Sequence, residues 1–211
     1  MAEPVIDERM RAYYDRRALE YDDWWTGARL YAERERPGWD DEVAQLIDTL
    51  RALPAKRTLD VACGTGFLTR HLSGEITAID QSARMVAVAS ERLPHATVLQ
   101  GEAVPLPFAD QTFDRIVTGH FYGHLDPDEA AAFRAEARRV AGELVVVDSA
   151  LRPAVSPEEM QTRLLTDGSR HQVFKRYFEP HALAAELGGE TEVLHAGTWF
   201  VVVRSRSVTP R

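Results

Sequence analysis

The chain has a single cysteine, Cys63, in 211 residues. No disulfide can form within it, and this usage suits a reducing cytoplasm, where the protein is expected. Long apolar runs are missing too: none approaches the roughly 18 residues that span a membrane. An excess of positive charge is absent. Lys and Arg number 25 against 33 Asp and Glu, a net charge of −8. That argues against nucleic acid as the main partner, which needs a basic surface. Met1 to Met10 carries four charged side chains and no apolar centre, so no secretory leader is expected. No internal repeat is visible. The remaining composition, 45% hydrophobic and 27% charged, fits one globular domain with a sizeable core.

What is present concentrates between Lys56 and Asp80, K-R-T-L-D-V-A-C-G-T-G-F-L-T-R-H-L-S-G-E-I-T-A-I-D. Thr58 to Ala62 has the apolar, β-branched character of a strand buried on both faces. Gly64-Thr65-Gly66 breaks it with a turn that glycine takes without strain. Phe67 to Ser73 predicts a short helix, stopped by Gly74. Glu75 to Ile79 predicts a second strand, with Asp80 at its carboxyl edge. Together these make one right-handed crossover of an open α/β sheet, which binds ligands beyond the carboxyl ends of its strands. Bare glycines let a ligand lie on the main chain, and N–H groups at the helix start favour a carboxylate or phosphate. Asp80 offers two acceptor oxygens, suited to a ribose diol. The plainer reading is an ordinary turn, with Asp80 capping the next helix.

Two nucleotide signatures fail. The NAD fingerprint needs a third glycine where Thr69 stands. A Walker loop needs Gly-Lys-Ser/Thr after its second glycine. Instead L-D-V-A-C-G-T-G-F-L-T, with Asp60 inside the strand, resembles motif I of the class I S-adenosylmethionine-dependent methyltransferases. It looks most like the small single-domain group typified by ubiquinone and menaquinone biosynthesis methyltransferases. Q-G-E-A-V-P-L-P-F-A-D-Q-T-F-D and Y-Y-D-R-R-A-L-E-Y-D-D-W-W resemble two further segments of that group. The resemblance implies an α/β fold: a Rossmann-like, doubly wound, seven-stranded, mainly parallel sheet with an antiparallel last strand, under an N-terminal helical lid. It also implies S-adenosyl-L-methionine as cofactor. Asp60, Ala62, Gly64, Thr65 and Gly66 would then hold the methionine part. Asp80 would bind the ribose, with Gln81 and Met85 beside it. Glu102, where the group usually has Asp, would lie near the adenine amino group, between Gly101 and Ala103. Thr118 and the lid residues Tyr14 and Tyr21 would complete the pocket.

Elsewhere the pattern gives elements in order. Met10, Tyr14, Ala18 and Tyr21 follow helical spacing. Gly27 to Arg36 reads as irregular. Trp39 to Leu53 is an amphipathic helix with Val43, Leu46, Ile47 and Leu50 on one face. Ser82 caps a helix that Pro94 ends, and Ala96 to Gln100 is the third strand. Phe113 to Thr118 is the fourth. Asp126-Pro127-Asp128-Glu129 opens a further helix. Glu143 to Asp148 is the fifth strand. Ala150 to Glu179 looks least regular, with a basic cluster of Arg170, His171, Lys175 and Arg176 suited to an anionic substrate group or simply to solvent. Pro180 to Leu187 is a helix. Thr191 to Leu194 and Thr198 to Val203 form an antiparallel edge pair. Ser205 to Arg211 reads as a frayed basic tail.

The reading is one domain over 1–211, with 1–36 as the lid and 150–179 as a substrate-side insertion. It would act as a monomer or homodimer, moving the methyl of S-adenosylmethionine to an oxygen, nitrogen or carbon of a small-molecule acceptor. A hydroxyl acceptor needs a base. The loop G-H-F-Y-G-H-L-D-P offers His120, Tyr122 and His124, which otherwise only shape the pocket. The two histidines lack a third metal ligand, so no metal is expected. Two other readings share the sheet: a non-catalytic S-adenosylmethionine-binding module, and an NAD-dependent oxidoreductase.

Overall fold

The structure, a computed structural model, describes residues 8–153 and 155–207. The first seven residues of the leader and lid segments, Ala154 of the insertion, and Val208 to Arg211 of the tail lie outside the described residues.

Seven strands form the central sheet: β1 (Lys56–Val61), β2 (Gly74–Asp80), β3 (Thr97–Gln100), β4 (Arg115–Gly119), β5 (Glu143–Ser149), β8 (Glu190–Ala196) and β9 (Phe200–Arg206). Their order is β3-β2-β1-β4-β5-β9-β8. The first five in that order run parallel. β9 is antiparallel to both β5 and β8. The seven-stranded, mainly parallel sheet with an antiparallel last strand is therefore present as expected.

Side chains alternate across a strand, and here both faces are apolar. On one face Leu144, Val146, Val201 and Val203 pack under α5 (Pro127–Val140) and α6 (Pro180–Leu187), through Phe133 and Leu183. On the other, Val145, Val147 and Val202 pack with Leu46 and Leu50 of α3 (Trp39–Arg51). Each fully buried side chain of this kind contributes roughly 1.5–3 kcal/mol. α4 (Ala83–Arg92) covers β2 and β3 through Ala89, with Ala78 and Leu93 in the same small cluster. Ser82 caps α4, accepting from the Met85 N–H at 3.1 Å. Asp126 and Glu129 form a reciprocal capping box on α5, with Pro127 in its first turn.

Three expectations need correction. Phe67 to Ser73 is not a helix; a single 3-10 turn occupies Thr69–His71. The segment is short, and Leu72 is already extended on its way into β2. The stretch Ala150 to Glu179 is not irregular. β6 (Glu158–Leu164) and β7 (Arg170–Arg176) form an antiparallel hairpin beside the main sheet. Exposure alternates along β6, but Glu159, Gln161 and Arg163 fill its covered positions, so no apolar alternation marks it. Finally, Ser205 and Arg206 are not frayed: both belong to β9, and the Ser207 N–H donates to the Gly142 carbonyl at 3.0 Å.

At the N-terminus α1 (Glu8–Arg17), a 3-10 turn (Ala18–Glu20) and α2 (Asp23–Thr26) lie over the carboxyl ends of the strands. Tyr13 and Met10 pack on Leu165 and Val173 of the hairpin.

Candidate active site

A cleft opens at the carboxyl ends of β1, β2 and β4. The chain runs outward from β1 through β2 to β3, then returns to β4 on the other side of β1. Open α/β sheets form their ligand crevice at such a reversal. Ala62 and Gly64 follow β1, Asp80 and Gln81 close β2, and Gly119 and His120 end β4; all face the cleft. Gly101, Glu102 and Ala103 reach it from the loop after β3. Tyr14 and Tyr21 roof it.

Asp80 is the organising side chain. It accepts from the Gly64 N–H at 2.8 Å and from the Ser82 N–H at 2.9 Å. Burial pushes its carboxyl up to about 6, and those two hydrogen bonds oppose the rise. An ionised carboxylate has about four lone-pair sites, so two remain for a ligand. Gly64 has φ 56°, and a Cβ there would meet the Tyr21 ring at 3.3 Å. Only glycine fits between the loop and its roof. Ala62 and His120 also sit left-handed, at φ 57° and 55°, where L-residues are held at a cost of about 1–2 kcal/mol.

Polar ties fasten the N-terminal elements over this loop. Arg11 of α1 donates to Glu102 at 2.5 Å. Asp15 accepts from the Ser82 hydroxyl at 2.5 Å. Asp22 accepts from Thr65 Oγ1 and from Arg92 Nη2, both at 2.6 Å.

Other candidates stand behind the cleft rather than on it. Asp60 is buried and accepts from Thr69 Oγ1 at 2.5 Å; burial pushes it up to about 7. Thr65 faces Asp22, while Gly66 packs on Leu93 and Met85 is fully buried on the inner side of α4. Thr118 donates to the Val61 carbonyl at 2.8 Å, tying β4 to β1. The three loop candidates part company. His120 faces the cleft; Tyr122 and His124 do not. Tyr122 is buried between Glu186, which it contacts at 2.6 Å, and Arg134 at 2.7 Å. His124 Nδ1 meets the Phe174 carbonyl at 2.6 Å. Burial holds both histidines down to about 3.

His120 has surroundings that the spacing of residues does not reveal. Its ring packs edge-on against Trp24 at 4.7 Å and Trp25 at 5.1 Å. Nδ1 lies 3.4 Å from Ser149 Oγ and 3.8 Å from Asp148 Oδ1. Nε2 is buried with no partner among the described residues. Asp148 ends β5 fully buried, accepting from the Gly123 and Ser149 N–H groups at 2.8 and 2.7 Å and from Lys175 Nζ. Burial raises its pKa, but Lys175 and the two neighbouring histidines together outweigh it and the group stays below the ordinary range. A Cβ on Gly123 would fall 2.9 Å from Asp148 Oδ1, so this packing demands glycine. One sequence signal was available: an acid ending an apolar strand, as Asp80 does. Val104, Phe121 and Leu125 also line the cleft; they lie inside the quoted segments but were not singled out there.

The basic cluster on β7 does not converge. Arg170 is exposed, His171 packs on Tyr13 at 5.0 Å, and Arg176 pairs with Glu186 at 2.7 Å. Lys175 alone turns inward, to Asp148.

Comparison with known proteins agrees with this geometry. Residues 58–143 match a family described as a methyltransferase domain. A demethylmenaquinone methyltransferase of Renibacterium salmoninarum is 32% identical over 49% of this chain and 45% of its own. An uncharacterized methyltransferase of Alkaliphilus oremlandii is 26% identical over 61% of this chain and 62% of its own. The chain thus spans about half the length of the curated relatives it matches. Among solved structures, the DhpI-SAH complex superposes with a TM-score of 0.73, at 27% identity over 97% of both chains. The DhpI-SAM-HEP complex gives 0.73 at 25% identity, over 97% of this chain and 99% of that one.

Proposed function

We propose that the chain is a class I S-adenosylmethionine-dependent methyltransferase, that its cleft holds S-adenosylmethionine and that it methylates a small-molecule acceptor; the methyltransferase-domain match and the likeness to the two DhpI complexes support this. The observation that carries this is the Gly64–Asp80 pair: a glycine loop tied to a strand-ending carboxylate that keeps lone pairs free. The cleft brings the glycine loop, Asp80 and the Gly101–Ala103 loop to one place, as a nucleoside with an amino-acid arm requires. When bound, the cofactor supplies a methyl on a sulfonium, a leaving group already activated by its charge.

The protein's own part is placement. Asp80 orients the ribose by accepting from its hydroxyls. Gly64 lets the methionine arm lie on the main chain. Tyr14 and Tyr21 exclude water from above. His120, at the end of β4, walls the methyl side. Its ring is uncharged at neutral pH, so it sets no second positive charge beside the sulfonium. A base held at about 3 draws little from a hydroxyl, so alignment of nucleophile, methyl carbon and sulfur does most of the work.

Titration of S-adenosylhomocysteine into the wild type and Asp80→Ala tests the assignment. Loss of hydrogen bonds to a charged group is expected to weaken binding by about 1.5–3 kcal/mol. Unchanged affinity would remove the ribose role of Asp80.

A further inference from the structure

A second cleft, of about 320 Å³, lies across His120 from the first. Its walls come from the lid side, with Arg36 and Trp39, and from the hairpin side, with Arg163 and Lys175; Arg152 and Trp199 lie between them. The two clefts share a partition. Trp24 and Ser149 line the second cleft, and both touch the His120 ring that faces the first.

The charge of this second cleft departs from that of the chain. The protein carries a net −8, and several guanidiniums elsewhere meet carboxylates, as Arg57 does Asp114 and Arg115 does Glu143. In the cleft they do not. Arg36 donates to the Trp24 carbonyl at 2.7 Å and lies 4.0 Å over the Trp39 ring. Arg152 lies 4.4 Å over the Trp199 ring and has no acid partner among the described residues. Arg163 makes neither hydrogen bond nor ion pair among the described residues, and its Nε is buried without a partner. Arg34 lines the same space, also without an acid partner among the described residues. Glu35 is the one acid among the described residues that line it, and Lys175 is already spent on Asp148.

Unpartnered guanidiniums gathered in a half-buried cleft repel one another and lose hydration. An oxyanion relieves both, because a guanidinium presents two parallel donors to a phosphate or carboxylate. The net negative charge of the chain disfavours a polyanion, so a small anionic molecule suits the cleft. We propose, resting on the methyltransferase reading, that this cleft is the acceptor site and that Arg163 and Arg152 anchor an acceptor carrying a phosphate- or carboxylate-type anion. The anchored end sets the rest of the molecule toward the partition formed by Trp24, Ser149 and His120, and so toward the methyl.

The test titrates the full chain with phenyl phosphate, benzoate and, as neutral control, benzyl alcohol, reading tryptophan fluorescence from Trp24, Trp39 and Trp199. S-Adenosylhomocysteine is titrated into the same samples. The variants are Arg163→Gln, Arg152→Gln and, outside the cleft, Arg170→Gln. One or both anions are expected to bind saturably, with benzyl alcohol at least tenfold weaker. The preferred anion separates phosphate from carboxylate chemistry. Arg163→Gln and Arg152→Gln should each weaken it tenfold or more, and Arg170→Gln less than twofold. S-Adenosylhomocysteine affinity should stay within twofold in all three. Arg163→Gln removes no hydrogen bond, and an unchanged Tm confirms that it folds. No anion binding to a wild type that binds S-adenosylhomocysteine overturns the inference and leaves the methyltransferase reading intact. Equal losses in Arg170→Gln and Arg163→Gln also overturn it, since a diffuse field would then suffice. Anion binding without S-adenosylhomocysteine binding overturns the acceptor role through the methyltransferase reading itself.

Discussion

Burial shifts ionisable side chains around the site, and two histidines and two aspartates move in opposing directions. His120 and His124 fall from 6.5 to about 3. The folded chain therefore refuses protons that the unfolded chain accepts between those values. Their contribution to stability is complete above about pH 6.5 and is lost as pH falls toward 3. Asp60 and Asp80 rise from 3.8 to about 7 and about 6, through burial. Their contribution is complete below about 3.8 and is lost as pH rises through 6 to 7. The two pairs oppose each other between about pH 4 and 6.5, and a variant separates them. His124→Gln keeps a donor for the Phe174 carbonyl and removes one acid-labile ring. Its Tm relative to the wild type is expected to rise as pH is lowered from about 7 to about 5. A pH-independent difference would contradict the buried neutral imidazole. At this scale Gly64 and Asp80 were legible, because their role is fixed by local spacing. The Asp148–Lys175 pair and the unpartnered Arg163 were not, because β5 and the hairpin meet only in the fold.

Among elements, the helices that carry their own punctuation were the most legible. The Asp126–Pro127–Glu129 box and Pro180 mark α5 and α6 without any tertiary contact. The β6–β7 hairpin was hidden because its covered face is polar, and the segment after Gly66 proved too short for a helix. The N-terminal elements are fastened over the glycine loop by Asp22, which reaches both Thr65 and Arg92. If they act as a lid, Asp22→Ala loosens it. Both partners are about a quarter exposed, so screening limits the effect to about 1 kcal/mol, a severalfold weaker hold on S-adenosylhomocysteine. Faster release in stopped-flow fluorescence is the expected sign. Identical release rates would show that α1 and α2 only pack on the sheet.

Across the whole molecule, the two ends of the sheet have separate tasks. At the amino ends of β1, β4 and β5, buried Glu143 gathers Arg115, Lys56 and Arg206 into a closed ionic cluster. At the carboxyl ends lie the glycine loop, Asp80 and the two clefts on either side of His120. The strand order that brings β1 and β4 together was legible through the family resemblance, since no single strand encodes its neighbour. The second cleft was not, because its residues come from places far apart in the chain: the lid, α3, the end of β5, the hairpin and the turn of the terminal strand pair. The measurement that bears most directly on the proposed function is calorimetric titration of the full chain with S-adenosylmethionine, S-adenosylhomocysteine and NAD in parallel. Micromolar binding of both sulfur nucleotides, with none of NAD, is the expected result. Binding of NAD and of neither sulfur nucleotide would contradict it and reassign the Gly64–Asp80 cradle to a different nucleotide.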